Sequence, residues 1–291
     1  MKINSVLGLV LAVFLLCIFF PPSAKCAFFD VGTGWPYVTI QDAINAAGYG
    51  DTIRIADGTY TGVGNKNLNL QSKALTITSF NGNQNCIIDL EDSGNFINGG
   101  IDSTSGTVIR SLSIHSGYHV IGTNGATVTI EKCKISNFHT VTNGAIYAVG
   151  GYITIKNTDI YSGWNSAWGV NVSSGTLFNC KIYNNDGYGV AIGAGSVDSC
   201  SIYGNGDSGI YISDVGEITV SNCNINNNEK GIEVWRGAST NQYLVKINKS
   251  EIADNTNEGI AFFDDTNANS EVIGCHIYGN KWAISVWGVE D

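Results

Sequence analysis

From residue 108 onward an isoleucine returns every 20 to 27 residues, at Ile114, Ile135, Ile160, Ile182, Ile202, Ile225, Ile252 and Ile277. A glycine column runs beside it: Gly144, Gly169, Gly189, Gly209, Gly231 and Gly259, with Ala283 in the same role at the end. After each stands an apolar-x-apolar step, as in Val190-Ala-Ile192, Ile210-Tyr-Ile212 and Ile232-Glu-Val234. Alternation with a period of two marks a strand with one buried face. No strand is followed by the amphipathic helix that a βαβ crossover requires, which excludes a layered α/β fold. A repeat of this length, with several short strands and irregular insertions, fits one turn of a parallel β-helix, each coil stacked about 4.8 Å from the last. The Leu-x-x-Leu-x-Leu pattern of leucine-rich repeats is absent, and a propeller needs longer, blade-sized units.

The start of the chain reads as a leader and a cap. Met1-Lys2, the apolar run Val6–Phe20 and Pro21-Pro-Ser-Ala24 have the layout of a secretory signal peptide. The run is shorter than the roughly 18 residues of a membrane span, so no stable span is expected. Thr39-Ile-Gln-Asp42 is a capping box that opens a short helix through Ala47, with Ile40, Ala43, Ile44 and Ala47 on one face. Gly48 and Gly50 stop it, and an alternating strand, Asp51-Thr-Ile-Arg-Ile-Ala-Asp-Gly58, follows directly. A helix at the head of a solenoid covers apolar rungs and open strand edges. The expected organisation is a signal peptide at 1–25, a cap and first strand at 26–60, and a parallel β-helix over 61–291.

Charge narrows the partners. Fifteen basic residues face twenty-five acidic ones, and the arginines are Arg54, Arg110 and Arg236 alone. Nucleic acid, which wants a basic stripe, is excluded. A polyanionic glycan is disfavoured unless metal ions or a local basic patch intervene.

Two inward columns follow from parity. Leu112, Cys133, Thr158, Cys180, Cys200, Cys223, Ser250 and Cys275 stand two residues before the isoleucines. Cys180, Cys200 and Cys223 lie on successive coils, but coil spacing exceeds the roughly 3.8 Å between bridged β-carbons, so free thiols are expected. A Cys26–Cys86 bridge near the cap stays open as an alternative. Asn185, Asn205, Asn228, Asn255 and Asn280 stand three residues past the isoleucines and read as a structural amide ladder. No cysteine and histidine set has metal-site spacing, and no metal or cofactor is expected. The exception held open is a weak calcium contact at Asp264-Asp265.

The outward columns carry the candidate site. Tyr161, Tyr183 and Tyr203 immediately follow three successive isoleucines. Trp235, Phe263 and Trp287 form a second aromatic line, with Tyr211 and Glu233 two positions earlier on the same faces. Aligned exposed aromatics mark binding surfaces, and flat rings suit the apolar faces of sugars. The competing reading is cross-rung stacking that stabilises the sheet or seats a C-terminal cap. Lys134, Asp159 and Lys181, with Glu251 and His276 farther along, are acid and base candidates whose charges also satisfy one another.

Tyr37-Val-Thr-Ile-Gln-Asp-Ala-Ile-Asn-Ala-Ala47 with Gly50-Asp-Thr-Ile-Arg-Ile-Ala-Asp-Gly-Thr-Tyr60 resembles the entry segment of the pectate-lyase-like superfamily of secreted right-handed β-helices. Gly209-Ile-Tyr-Ile and Cys200-Ser-Ile-Tyr-Gly-Asn205 are similar to NosD-type and carbohydrate-binding repeats. The resemblance implies an all-β, single-stranded right-handed parallel β-helix, and members range over lyases, hydrolases, epimerases, esterases and noncatalytic binders. The enzyme motifs are missing. Asn157-Thr-Asp159 looks like a polygalacturonase fragment without its partners, and Arg236 is the one arginine beyond Arg110 for a lyase base.

The expectation is therefore an exported protein, secreted, periplasmic or on the cell surface, that binds a polysaccharide or cell-surface glycan. Its ligand-binding residues are Tyr161, Tyr183, Tyr203, Tyr211, Glu233, Trp235, Phe263 and Trp287, and no catalytic residue is assigned. The alternatives are a polysaccharide lyase or epimerase working in a groove on the same faces, or a structural or adhesive surface repeat.

Overall fold

Each repeat closes into one coil of three short strands, and the coils stack in parallel register. The structure, a computed structural model, describes residues 26–101, 106–139, 144–213, 216–235, 244–263 and 270–288. The predicted signal peptide, Arg236 and Asp264-Asp265 lie outside the described residues. One coil runs Gly175–Phe178, Lys181–Tyr183, Val190–Ile192 and then returns at Gly195–Asp198 directly beneath Gly175–Phe178. Among the described residues, repetition gives an eleven-stranded sheet A and two ten-stranded sheets, B (containing Lys181–Tyr183) and C (containing Val190–Ile192). The fold is an all-β right-handed parallel β-helix with a short N-terminal helix, as expected.

The isoleucine column is the spine of sheet B. Ile160, Ile182, Ile202 and Ile225 pair in register and are fully buried. The turns between sheets A and B place Asn157, Asn179 and Asn222 at φ near +51° to +52°. Asparagine tolerates this left-handed geometry best among non-glycine residues, which explains its frequency there. The next corner buries the asparagine ladder. Asn185 Nδ2 donates to Asn205 Oδ1 at 2.9 Å, and Asn205, Asn228 and Asn255 repeat the contact at 2.9, 3.2 and 2.8 Å. Each amide oxygen also accepts the backbone N–H of the asparagine above it, at 2.9 to 3.2 Å. Buried polar groups are thus satisfied along the axis, which prevents a penalty of about 1–3 kcal/mol for each orphan.

Glycine is required by clearance. A β-carbon at Gly189 would sit 2.6 Å from the Gly209 carbonyl oxygen and 2.9 Å from Ile202 Cγ2. Gly231 and Gly259 meet the same obstruction from the coil below. Ala283 is tolerated because among the described residues no coil lies beneath it. Cys133, Cys180, Cys200 and Cys223 fill the inward small-residue column as free thiols, and Cys26 and Cys86 are also unbridged.

The two ends differ. Helix α1 (Ile40–Ala46) is capped by Thr39, whose Oγ1 accepts the Asp42 N–H at 3.2 Å. Its Ile40, Ala43 and Ile44 are buried over the first coil. In the last described coil, by contrast, Ile284 is 45% and Val286 58% exposed. No helix among the described residues is long and apolar enough to cross a membrane.

Candidate functional site

The eight predicted residues divide between two faces. Tyr161, Tyr183 and Tyr203 stand in register on the outer face of sheet B. Their rings stack with centroids 4.9 Å apart at both steps and interplanar angles of 3° and 6°. Burial, then the neighbouring phenols and Asp159, push the Tyr183 phenol up to about 12. Each interior ring face is covered by the next ring, so the ladder offers solvent its edges and hydroxyls.

Tyr211, Glu233, Trp235, Phe263 and Trp287 lie on sheet C, where Tyr211 pairs with Glu233 and Ser213 with Trp235. Trp235 to Phe263 is 5.4 Å and tilted by 32°, and Phe263 to Trp287 is 6.3 Å at 9°. These looser stacks leave Trp235 44% and Trp287 50% exposed.

Tyr211 and Glu233 prove to be half of a larger cluster at the corner where sheet B turns into sheet C. The other half comes from the residue that precedes each column glycine from Gly169 to Gly259: Trp168, Tyr188, Ser208, Lys230 and Glu258; Gly144, expected in the glycine column, instead stands in register with Trp168. Backbone bonds Gly169 N to Tyr188 O, Gly189 N to Ser208 O, Gly209 N to Lys230 O and Gly231 N to Glu258 O stack them into one column. Trp168 meets Tyr188 edge-on at 4.8 Å and 69°, and Tyr188 stacks on Tyr211 at 4.8 Å and 20°. One coil further on, Ser208 Oγ donates to Glu233 Oε2 at 2.5 Å, and Lys230 Nζ donates to the same oxygen at 3.3 Å. The Glu233 side chain is 10% exposed and that of Lys230 17%, so water screens their pairing poorly.

Electrostatics follow from this packing. Burial, then the charges of Asp207 and Glu233, hold the Tyr188 phenol well above its ordinary value. Burial and Glu233 do the same for Tyr211. Burial pulls the Lys230 ammonium down, but Glu233 and Glu229 outweigh it and keep the group above its usual range. The corner therefore holds protonated phenols, a charged ammonium and a surplus of carboxylates.

Toward the N-terminal coils the corner continues in aromatic and imidazole rings. Tyr118 meets His139 edge-on at 4.7 Å, and His139 stacks on Trp164 at 4.6 Å and 27°. His139 Nδ1 is buried without a hydrogen-bond partner. His119 Nδ1 lies 2.7 Å from the Gly144 carbonyl oxygen, which can only accept, so that nitrogen carries a proton. Burial pulls the His119 imidazole below its ordinary value. From the coil of Ile114 to that of Ile252 the strip covers about 29 Å, at about 4.8 Å per coil.

The sequence reading missed Trp168, Tyr188, Ser208 and Lys230, although their signal was present in the position before each glycine. Lys134, Asp159 and Lys181 stand in register on sheet B, apart from the corner. Glu251 instead accepts the Tyr278 hydroxyl at 2.6 Å. A cleft of about 460 Å³ near α1 is lined by Thr39, Asp42, Lys66 and Asn67 among others, and Lys66 is already bound to Glu91, Ser93 and the Leu90 carbonyl. Among the described residues no group of three or more His, Cys, Asp or Glu could hold a metal ion.

The family described as a right handed beta helix region matches residues 100–245, half of the chain. The chain belongs to that right-handed β-helix family. The A-modules of the Azotobacter vinelandii mannuronan C-5 epimerases AlgE4 and AlgE6 are structurally similar at TM-scores of 0.52 and 0.51 and 18% identity. Both alignments cover 86% of this chain, with 93% of the AlgE4 and 91% of the AlgE6 module. A rhamnogalacturonan lyase is similar at a TM-score of 0.50 and 13% identity, covering 89% of this chain and 72% of its own. At these identities the likeness is one of fold. No curated protein sequence matches this β-helix protein.

Proposed function

We propose that this β-helix protein is an exported, NosD-like glycan-binding protein whose ligand lies along the corner strip. One observation carries the reading: the half-buried Trp168–Tyr188–Tyr211 packing runs without a break into the Ser208–Glu233–Lys230 network. Rings that receive sugar faces beside fixed donors and acceptors that receive hydroxyls are the two halves of a carbohydrate site. Tyr211 and Glu233 are central to it. Trp235, Phe263 and Trp287 extend the contact across sheet C, while the Tyr161–Tyr183–Tyr203 ladder holds sheet B together beside it. Export rests on the leader-like residues 1–25 and sets the site against extracellular or periplasmic polysaccharide.

A lyase or epimerase is the second reading. It draws on the same cluster, because a carboxylate, an ammonium and protonated phenols within contact of one another are the groups that proton transfer on a sugar ring uses. Incubation with a polysaccharide panel, read by calorimetry and by mass spectrometry of products, tests both. Saturable binding with intact polymer supports the first reading. Fragments lighter by water than hydrolysis products support a lyase, and inverted stereochemistry without cleavage supports an epimerase. No binding and no products from any polysaccharide overturns both.

A further inference from the structure

Two lysine ammoniums, one in the corner column and one beside it, are held by carboxylate or aromatic groups. Lys230 sits 3.3 Å from Glu233 and 3.9 Å from Glu229. Two coils away, Lys281 Nζ lies 4.2 Å from the centroid of the Trp282 ring. Glu258 occupies the coil between them, in register with Trp282. It is 5% exposed, and its Oε2 has no hydrogen-bond partner, the one buried carboxylate oxygen in that state among the described residues. A buried carboxylate oxygen without a donor is unfavourable. On the adjacent coil Glu229 and Glu233 already hold one ammonium, that of Lys230.

We propose that the strip takes a glycan bearing protonated amino groups, and that Glu258 receives one of those ammoniums. This rests on the glycan-binding reading above and names its substrate class. An ammonium with three donors matches a single free carboxylate oxygen, whereas calcium needs six to eight oxygen ligands. The aromatic half of the strip distinguishes an amino sugar from a simple polyamine, because a sugar face packs against the half-buried outer rings of that packing, Trp168 and Tyr211, while the amino group reaches the acidic half. Entry displaces Trp282, which is 48% exposed and flanks Glu258.

The test is calorimetric titration of the protein with a fully de-N-acetylated glucosamine oligomer, the N-acetylated oligomer of the same length, an oligogalacturonate and an oligolysine. The amino oligomer binds about tenfold more tightly than its N-acetylated form, the yield of one charge-assisted contact. Glu258→Gln, checked for an unchanged fold by circular dichroism, removes that preference and leaves the N-acetylated oligomer unaffected. Equal affinity for the two glucosamine oligomers overturns the ammonium proposal and leaves the glycan site standing, as does tighter binding of oligogalacturonate. Oligolysine binding as tightly as the amino oligomer overturns the sugar component. Failure of every oligosaccharide overturns the glycan-binding reading itself.

Discussion

The tyrosine ladder on sheet B and the mixed corner beside sheet C are built from the same repeat, yet they present opposite chemistry. In the ladder, identical residues recur at one register position, and parallel rings cover one another at 4.9 Å. At the corner the residue changes with every coil, from Trp168 to Tyr188, Ser208, Lys230 and Glu258. Unlike neighbours cannot simply stack, so they tilt, bridge and leave ring surface and polar atoms available. Repetition of one side chain consolidates a solenoid, and variation at one register position makes a site.

The largest effect expected is at the corner. Glu233→Ala strips Lys230 of its close partner and costs about 3 kcal/mol or more by chemical denaturation, with loss of glycan affinity. If stability and affinity survive this change, the corner is no more than a solvated face. Next comes a paired substitution. Tyr183→Ala removes two stacking contacts and costs about 1–3 kcal/mol while glycan affinity stays within about twofold. Tyr188→Ala lowers affinity by about tenfold or more, the equivalent of about 1.4 kcal/mol. The opposite pattern would make the ladder the binding face.

Alkaline titration sharpens the contrast without mutation. The Tyr183 phenol is raised from 10.0 to about 12, so the folded state holds that proton more tightly than the unfolded chain. The corresponding stability is complete below pH 10 and is lost as the pH rises toward about 12. Tyrosinate absorbance therefore develops late for Tyr183, and Tyr161→Ala and Tyr203→Ala advance that transition. A Tyr183 that ionises like a free tyrosine in the intact protein would mean that the rings do not stack in solution. The smallest effect belongs to Tyr161→Phe, which preserves the ring and changes stability by less than about 0.5 kcal/mol. A measurable affinity loss from that single hydroxyl would show that the ladder edge touches ligand.

Much of this arrangement was legible in the residues. The spacing of Ile160, Ile182 and Ile202 set the coil, the parity of Tyr161, Tyr183 and Tyr203 turned them outward, and the five asparagines read as an axial ladder. All three are local consequences of strand periodicity and of identical positions recurring, which a linear pattern records directly. Ring-on-ring coverage was less accessible, because parity gives the side of a sheet and not the angle at which neighbours meet. The corner column was overlooked because its members share no chemistry. Trp168, Tyr188, Ser208, Lys230 and Glu258 become a set only when the glycine that follows each is recognised as a fixed point on the coil.

By itself, then, the sequence determined the solenoid, its register, its capping helix and the outward direction of the aromatic columns. Tertiary structure decided that Glu233 meets Ser208 and Lys230, that Tyr188 lies on Tyr211, and that one carboxylate oxygen of Glu258 is left without a hydrogen-bond partner. These pairs are separated by 20 or more residues along the chain or by a turn of the corner, and stacking at about 4.8 Å is what brings them within contact. Periodicity is encoded residue by residue, whereas a site between coils depends on how variable loops align unlike side chains across the stack.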